Sequence, residues 1–173
     1  ALERTDLGNH AARTINMTRL GEALTEIDDP PVKALIVYNA NPGSVAPDRE
    51  TVLRGLRRDD LFTVVLEHFQ TDTADYADIV LPATTFFEHK DLVQSYGHYY
   101  LQVSNQAIAP LGEAKSNVDL FRALARHMGL KDDYFTESDD SMIDTALASG
   151  APRLQGINRQ RLEKEGHARL NFS

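Results

Sequence analysis

The stretch ALIVYNANPGSVAPDRETVLRGLRRDDLFTVVLE, residues 34–67, specifies the predicted fold. Its first five residues, 34–38, are apolar and bounded by breakers, which is typical of a buried strand. Apolar residues then recur on one face of a helix that Asp48 can cap. A second apolar run covers residues 61–66. Strand, helix and strand within about 30 residues form a βαβ unit, whose strands are parallel and whose crossover is right-handed.

Further elements flank this unit. Apolar residues at three- and four-residue steps predict an amphipathic helix over 17–27. Residues 78–82 predict a third strand, but the short connection 71–77 leaves its pairing open. The elements predicted after it are a strand or hairpin arm at 98–103, a helix that starts at the capping box of Ser116 and Asp119, and helices at 138–148 and 157–165.

These elements predict an α/β fold with a Rossmann-like, open, mostly parallel sheet flanked by helices. We divide the chain into a lead-in segment and helix, a dinucleotide-binding-like domain and a C-terminal helical extension, at residues 1–30, 31–130 and 131–173.

Composition narrows the function. The chain has 173 residues, a formal net charge of -8 and no cysteine. The charge argues against binding a nucleic-acid backbone, which needs a Lys/Arg surface. The missing cysteines exclude thiolate metal sites and Fe–S clusters built from these residues, and no metal ligand is expected from this chain. No window has the length of a transmembrane helix, and we expect a cytoplasmic location.

The candidate ligand-binding segments follow the first two predicted strands. Ligands of parallel α/β sheets bind outside the carboxyl ends of the strands, which here are followed by residues 39–44 and 67–73. Both segments carry amide, hydroxyl and carboxylate groups suited to nucleotides. Spacing alone fits equally well a set of polar turn residues that closes a sheet. The chain has no G-x-G-x-x-G and no Walker A loop, so ordinary NAD or ATP binding has no motif support.

Glu88 and His89 raise the question of acid–base catalysis. Neighbouring side chains point in different directions, and a lone histidine is more often structural. We therefore assign no catalytic residue.

The residues of the centre of the chain resemble a known family. The run FQTDTADYADIVLPA, residues 69–83, followed by Glu88-His89, is similar to a signature of the molybdopterin oxidoreductases, the superfamily of formate dehydrogenase, nitrate reductase and dimethyl sulfoxide reductase. Residues 37–48 and 110–129 follow the family order too. The loop at 38–42 and the run at 95–100 resemble the formate dehydrogenase-like branch.

The resemblance implies a role in holding a cofactor. Large subunits of this family bind molybdenum or tungsten through two pterin guanine dinucleotides, and one internal α/β domain grips one of the guanine nucleotides. On that resemblance Glu67 is the expected ribose or guanine partner, and Asp78 is either a nucleotide contact or a strand-start cap. The full expected set of cofactor-binding residues is Asn39, Asn41, Pro42, Gly43, Glu67, His68, Thr71, Thr73 and Asp78.

The resemblance also implies what these residues do not supply. The family's metal ligand and Fe–S cysteines lie elsewhere in its large subunits. We therefore expect the isolated chain to hold no molybdopterin cofactor and to be inactive, with the remaining domains of the parent subunit and electron-transfer subunits as partners. Two other functions stay open: a stand-alone guanine- or pterin-nucleotide module, which micromolar GMP binding would favour, and a subunit-interaction domain without catalysis.

Overall fold

The computed structural model describes residues 12–172, which form two compact units. The first unit ends at Ala83 and the second begins at Thr84. The boundary follows the third strand directly, because the backbone N–H of Ala83 still bonds to Glu67 whereas that of Thr84 bonds to Lys115. The units therefore divide the chain inside the segment 31–130, and the predicted domain limits stay predictions. Residues 1–11 of the lead-in segment lie outside the described residues.

The first unit is built on three parallel strands. Its elements are α1 (Leu20–Thr25), β1 (Ala34–Tyr38), α2 (Pro42–Val45), α3 (Arg49–Leu56), β2 (Phe62–Glu67) and β3 (Ile79–Pro82), with single 3₁₀ turns at Met17–Arg19 and Ala74–Tyr76. The strand order is β1-β2-β3, and both pairings are parallel. The predicted α/β class and the βαβ unit are confirmed. The pairing of the third strand, which the sequence left open, is parallel to β2, with only a 3₁₀ turn in the connection.

Two glycines let α1 and α3 cross closely over one face of the sheet. A Cβ on Gly55 would lie 2.5 Å from Cβ of Leu24, and a Cβ on Gly21 would lie 2.9 Å from Cγ2 of Thr51. Leu24 is buried together with Val52 and neighbouring leucines of α3. The two helices therefore lie close enough for Leu24 of α1 to pack directly against the buried residues of α3.

Gly55→Ala should destabilise the first unit although alanine is the better helix former. Glycine costs a helix about 1 kcal/mol relative to alanine, but the new methyl would overlap a buried leucine, and overpacking costs about 1–3 kcal/mol. Urea unfolding measures the difference. The control is Arg54→Ala on the exposed side of α3, which should leave the stability unchanged or slightly higher. A more stable Gly55→Ala variant would contradict the close crossing.

The second unit has its own sheet and its own core. Its elements are β4 (Asp91–Gln94), β5 (Tyr100–Ser104), α4 (Asn117–His127), α5 (Asp139–Leu147), α6 (Arg159–Glu165) and β6 (Ala168–Arg169). The strands pair antiparallel in the order β4-β5-β6. The core is formed by Leu101, Ile143, Leu147, Leu154, Ile157, Leu162, Ala168 and Leu170. The hairpin arm and the three helices were predicted, whereas β4 and β6 were not. No helix among residues 12–172 has the length and apolar character needed to cross a bilayer.

A network of ion pairs joins α5 and α6. The guanidinium of Arg159 donates to both carboxylate oxygens of Asp144, at 3.0 and 2.9 Å. Lys90 donates to Asp140 at 2.5 Å and to Glu163 at 3.1 Å. The hydrogen bond from Arg159 lowers the pKa of Asp144, and the bond to Asp140 raises the pKa of Lys90. The helices are therefore held by charge as well as by their apolar core.

Asp144→Asn should lower the thermal stability at neutral pH and not in acid. The pKa of Asp144 is depressed in the folded chain, so its contribution is present above the ordinary carboxyl pKa of about 4 and is lost as the pH falls through the lowered value. Thermal unfolding between neutral pH and about pH 2.5 measures the effect. In the control Asp59→Asn, no ion pair or hydrogen bond within 12–172 is removed, so its melting temperature should follow wild type at every pH. An Asp144→Asn deficit that persists undiminished in acid would contradict the ion pair's role.

Candidate functional site

The loops that follow β1 and β2 lie side by side and are joined by one buried hydroxyl. We call residues 39–44 the first loop and residues 68–73 the second loop. The hydroxyl of Thr73 donates to Oδ1 of Asn41 at 2.7 Å and accepts the backbone N–H of Gly43 at 2.9 Å. The backbone N–H of Thr73 also donates to Oδ1 of Asn41, at 3.2 Å. Since the strands are parallel, both loops leave the same edge of the sheet, and Thr73 fixes their spacing there.

Gly43 is the point of closest approach between the loops. A Cβ at this position would lie 3.1 Å from Oγ1 and 3.3 Å from the backbone nitrogen of Thr73. The neighbouring backbone is not free to move, because the N–H of Gly43 itself bonds to Thr73. A larger residue at this position would therefore push Thr73 away by a few tenths of an ångström, and the N–H of Gly43 is already used within the protein.

The first loop turns sharply away from the sheet. Asn39 directly follows β1 and has a φ of 52°, a left-handed conformation that asparagine tolerates better than most residues. Pro42 begins the short helix α2, where its missing N–H costs nothing. Asn39 is exposed and Pro42 is half-buried. These two predicted site residues thus shape the turn that delivers Asn41 to the second loop.

Glu67 and His68 lie at the carboxyl end of β2, beside the first loop. The register pairs Tyr38 with Leu66, which sets Asn39 and Glu67 at the same edge. Oε1 of Glu67 accepts the backbone N–H of His68 at 2.8 Å, and Nδ1 of His68 is 3.4 Å from the same oxygen. The side chain of Glu67 is 14% exposed, and its Oε2 has no hydrogen bond within the described residues. One carboxylate oxygen is therefore left to accept from a ligand.

Three other predicted site residues have structural partners. Thr73 is fully buried, so its hydroxyl serves the loop contact. The hydroxyl of Thr71 accepts the N–H of Ala74, the first residue of the following 3₁₀ turn, at 3.3 Å. Asp78 accepts the N–H of Thr63 at 2.6 Å. This hydrogen bond lies near the beginning of β2, at the end opposite Glu67, and fits the strand-start cap expected for Asp78, whereas its nucleotide contact stays a prediction.

Arg49 is a residue of this region that the sequence analysis did not single out. It is the first residue of α3, and its guanidinium lies 4.0 Å from the carboxylate of Asp72 in the second loop. Both side chains are about half exposed, so this contact adds little to stability. It does place a cation next to the loops. No periodicity marks such a residue, because its position depends on where α3 begins.

Glu88 is a structural residue of the second unit. It is buried, with 7% of its surface exposed. Oε2 accepts from the N–H and the hydroxyl of Thr85 at 2.7 and 2.9 Å, and Oε1 accepts the N–H of Leu111 at 2.7 Å. His89 bonds through Nδ1 to the hydroxyl of Thr84 at 2.8 Å. The carboxylate of Glu88 thus connects the backbone at Leu111 to the backbone at Thr85. Within residues 12–172 no three His, Asp or Glu side chains converge as metal ligands.

A parallel βαβ sheet with two polar loops joined at its carboxyl edge places the first unit among the open α/β domains, in which ligands bind outside the carboxyl ends of the strands. Comparison with known proteins narrows this class, because the model of the family described as molybdopterin oxidoreductase matches residues 7–127. The chain belongs to the molybdopterin oxidoreductase family, as the sequence resemblance predicted.

Individual relatives agree with this assignment. The chain is 48% identical over 148 residues to a Bacillus subtilis (strain 168) protein named "Probable oxidoreductase YoaE". It is 39% identical over 116 residues to the dimethyl sulfoxide/trimethylamine N-oxide reductase of Cereibacter sphaeroides. These matches cover 85% and 65% of this chain. Among solved structures, acetylene hydratase from Pelobacter acetylenicus superposes with a TM-score of 0.72 at 27% identity over 93% of the chain.

The relatives are much longer than this chain. It spans 22% of the Bacillus subtilis protein, 14% of the Cereibacter sphaeroides reductase and 22% of the acetylene hydratase chain. What those proteins do as wholes therefore involves many residues without a counterpart here.

Thr73→Val should destabilise the first unit by about 1–3 kcal/mol, because Oδ1 of Asn41 and the N–H of Gly43 lose a buried partner. Thr73→Ser keeps the hydroxyl and is the matched control. We expect urea unfolding to show the loss for valine and a smaller one for serine. Amide hydrogen exchange at Gly43 should accelerate in the valine variant only. A loss of stability for serine with none for valine would show that the methyl group, not the hydroxyl, holds the loops together.

Proposed function

We propose that this chain holds one guanine dinucleotide of a bis-molybdopterin cofactor within a larger molybdenum- or tungsten-dependent oxidoreductase, with the nucleotide at the edge formed by the first and second loops. The supporting observation is the junction of Thr73, Asn41 and Gly43, which presents both loops at the carboxyl edge of two parallel strands. This is where ligands of open α/β sheets bind.

The polar groups at this edge fit a guanine nucleotide. Oε2 of Glu67 is a carboxyl oxygen that can accept a hydrogen bond and has no internal partner in 12–172, and guanine offers adjacent ring and amino N–H donors. The amide nitrogen of Asn41 has no hydrogen bond within the described residues, because only its oxygen is used by Thr73. Arg49 adds a positive charge that suits a phosphate. The carboxylate and the amide are thus complementary to the base, and the guanidinium is complementary to the phosphates.

Each predicted residue has a distinct part in this proposal. Glu67 binds the base or the ribose, with His68 steadying its other oxygen. Asn39 and Asn41 contact the nucleotide from the first loop. Thr73 and Gly43 are positioning residues, since their polar groups are spent on joining the loops. Thr71, Pro42 and Asp78 act through the backbone by capping or shaping the segments that carry the others.

The chemistry of the cofactor lies outside this chain. When bound, the pterin dithiolenes would hold the metal that exchanges electrons with the substrate, and the protein supplies position and electrostatics. The chain has no cysteine to ligate the metal. We therefore propose that the isolated chain has no turnover of its own and that its partners are the other domains of the longer enzyme, together with electron-transfer subunits. A formate dehydrogenase-like parent and a cytoplasmic location stay predictions.

Nucleotide titration followed by NMR tests the site directly. GMP should shift the amide resonances of residues 39–44 and 67–73 and few others, whereas AMP, which lacks the guanine donor pair, should shift them less. Glu67→Gln should abolish the difference between the two nucleotides, because a neutral amide has only one acceptor oxygen. The control Asp59→Asn changes an exposed carboxylate that precedes β2 and has no ion pair or hydrogen bond within 12–172, and it should leave the chemical-shift changes intact.

The titration also separates the alternatives. Binding to a single domain should be weak, since several domains clamp the cofactor in the proposed parent. Micromolar affinity for GMP would favour the stand-alone nucleotide module. Equal shifts with AMP and GMP, or shifts confined to the second unit, would overturn the assignment of the two loops as the guanine site.

A further inference from the structure

The second unit contains a polar cavity that the proposed guanine site does not use. Its volume is about 450 Å³, which lies within the range of small-molecule sites, about 300–1,000 Å³. One wall is the face of α4 that carries Asp119, Arg122, Ala123 and Arg126, which follow each other at helical spacing. The residues that line the cavity all belong to the second unit. A small organic molecule therefore fits into this unit alone.

The acidic side chains of the lining are already engaged within the protein. Asp119 and Asp139 both accept from Nη1 of Arg122, at 3.0 and 2.9 Å. The two carboxylate oxygens of Glu88 accept backbone N–H groups at 2.7 Å each. These three carboxylates therefore do not neutralise the other cations of the cavity.

Two cations of the lining have no carboxylate partner. The side chains of Lys115 and Arg126 make no ion pair and no hydrogen bond within residues 12–172, whereas Lys90 is paired with Asp140. Lys115 directly precedes Ser116, the N-cap of α4, and Arg126 lies in the last turn of this helix. The ten residues from the N-cap to Arg126 correspond to about 15 Å along the helix axis at 1.5 Å per residue. The cavity therefore has an unpaired positive charge towards each end of α4.

Other groups of the lining also favour an anion. The N-terminus of α4 carries a partial positive charge next to Lys115. Nδ1 of His89 bonds to the hydroxyl of Thr84 at 2.8 Å, and Nε2 has no hydrogen bond in the described part of the chain. With the hydroxyl of Thr84 as the donor, Nε2 carries the ring proton and can donate to a ligand.

We infer that this cavity binds a small molecule that carries at least two anionic groups, either carboxylates or phosphates. A single small anion can pair with only one of the two cations, because about 15 Å of helix separates their ends of α4. A molecule with several anionic groups can pair with both. A metal ion is disfavoured, since the carboxylates bond to Arg122 or to backbone N–H groups and no three His, Asp or Glu side chains converge among residues 12–172.

This inference is independent of the proposed guanine site. Residues 39–44 and 67–73 take no part in the lining of the cavity. Loss of nucleotide binding at the two loops would therefore leave the cavity intact, and an empty cavity would leave the loops intact.

Titration of the 173-residue chain with defined anions, followed by NMR, tests the cavity. Citrate supplies several carboxylates and tripolyphosphate several phosphates, and acetate and inorganic phosphate are their matched ions with one anionic centre. We expect citrate or tripolyphosphate to shift the amide resonances of residues 84–90 and 114–126. Since a hydrogen bond to a charged group is worth about 1.5–3 kcal/mol, its affinity should exceed that of the matched ion by at least about 10-fold. The probe that binds identifies the anionic groups as carboxylates or phosphates.

Substitution of the two unpaired cations locates the binding site. Lys115→Gln and Arg126→Gln should each weaken binding of the probe by about 10-fold or more. The control Lys131→Gln removes an exposed lysine beyond α4 that has no ion pair within 12–172 and should leave the affinity unchanged. All three positions are exposed, and unchanged amide resonances of the core around Leu101 and Leu162 report an intact fold.

Four results would overturn the inference. The first is that neither citrate nor tripolyphosphate binds at millimolar concentration, or that neither binds more tightly than its matched ion. The second is a set of shifts confined to the first unit. The third is an affinity unchanged by Lys115→Gln or by Arg126→Gln, and the fourth is an equal loss of affinity in the Lys131→Gln control.

Discussion

The first unit depends on a single hydroxyl group that serves as donor and acceptor at once. The hydroxyl of Thr73 donates a hydrogen bond to Asn41 and accepts one from the N–H of Gly43, where a Cβ on the glycine would lie only 3.1 Å from that hydroxyl oxygen. An apolar residue of the same shape would leave the N–H of Gly43 without its partner and would remove one of the two hydrogen bonds to Oδ1 of Asn41. The loops that carry Asn39 and Glu67 keep their spacing because this contact is satisfied inside the protein rather than by water or a ligand.

Because of that contact, the polar groups at the sheet edge fall into two sets. Groups that bond within the protein, such as the N–H of Gly43, hold the loops in place. Oε2 of Glu67 and the amide nitrogen of Asn41 have no hydrogen bond within 12–172, and they are the groups that our proposal assigns to the nucleotide. A site of this kind is preorganised, so that binding does not have to order the loops. The same logic explains why Thr73 is a positioning residue even though a threonine in a nucleotide loop suggests a phosphate contact.

In the second unit, Glu88 and His89 of the family signature make hydrogen bonds that hold neighbouring segments of the chain in place. Glu88 is almost completely buried, and three hydrogen bonds hold it in place. A carboxylate in this position shapes the segment between Thr85 and Leu111. The charged residues that stabilise this unit further, Arg159 with Asp144 and Lys90 with Asp140, come from elements distant in sequence and join its helices at their surface.

Local sequence patterns were enough to predict the βαβ unit, the caps of α3 and α4, and the segments that form the sheet edge. Apolar periodicity and capping residues can be recognised in this way because they depend on only a few neighbouring positions. Family membership also followed from one contiguous run of residues. The partners of Thr73 and Glu88, the close crossing at Gly55, the parallel pairing of β3 and the boundary at Ala83 depended on the folded chain. Each of these features either brings together residues that are far apart in sequence or depends on how closely two backbone segments approach each other. A local sequence pattern contains no information about such distances.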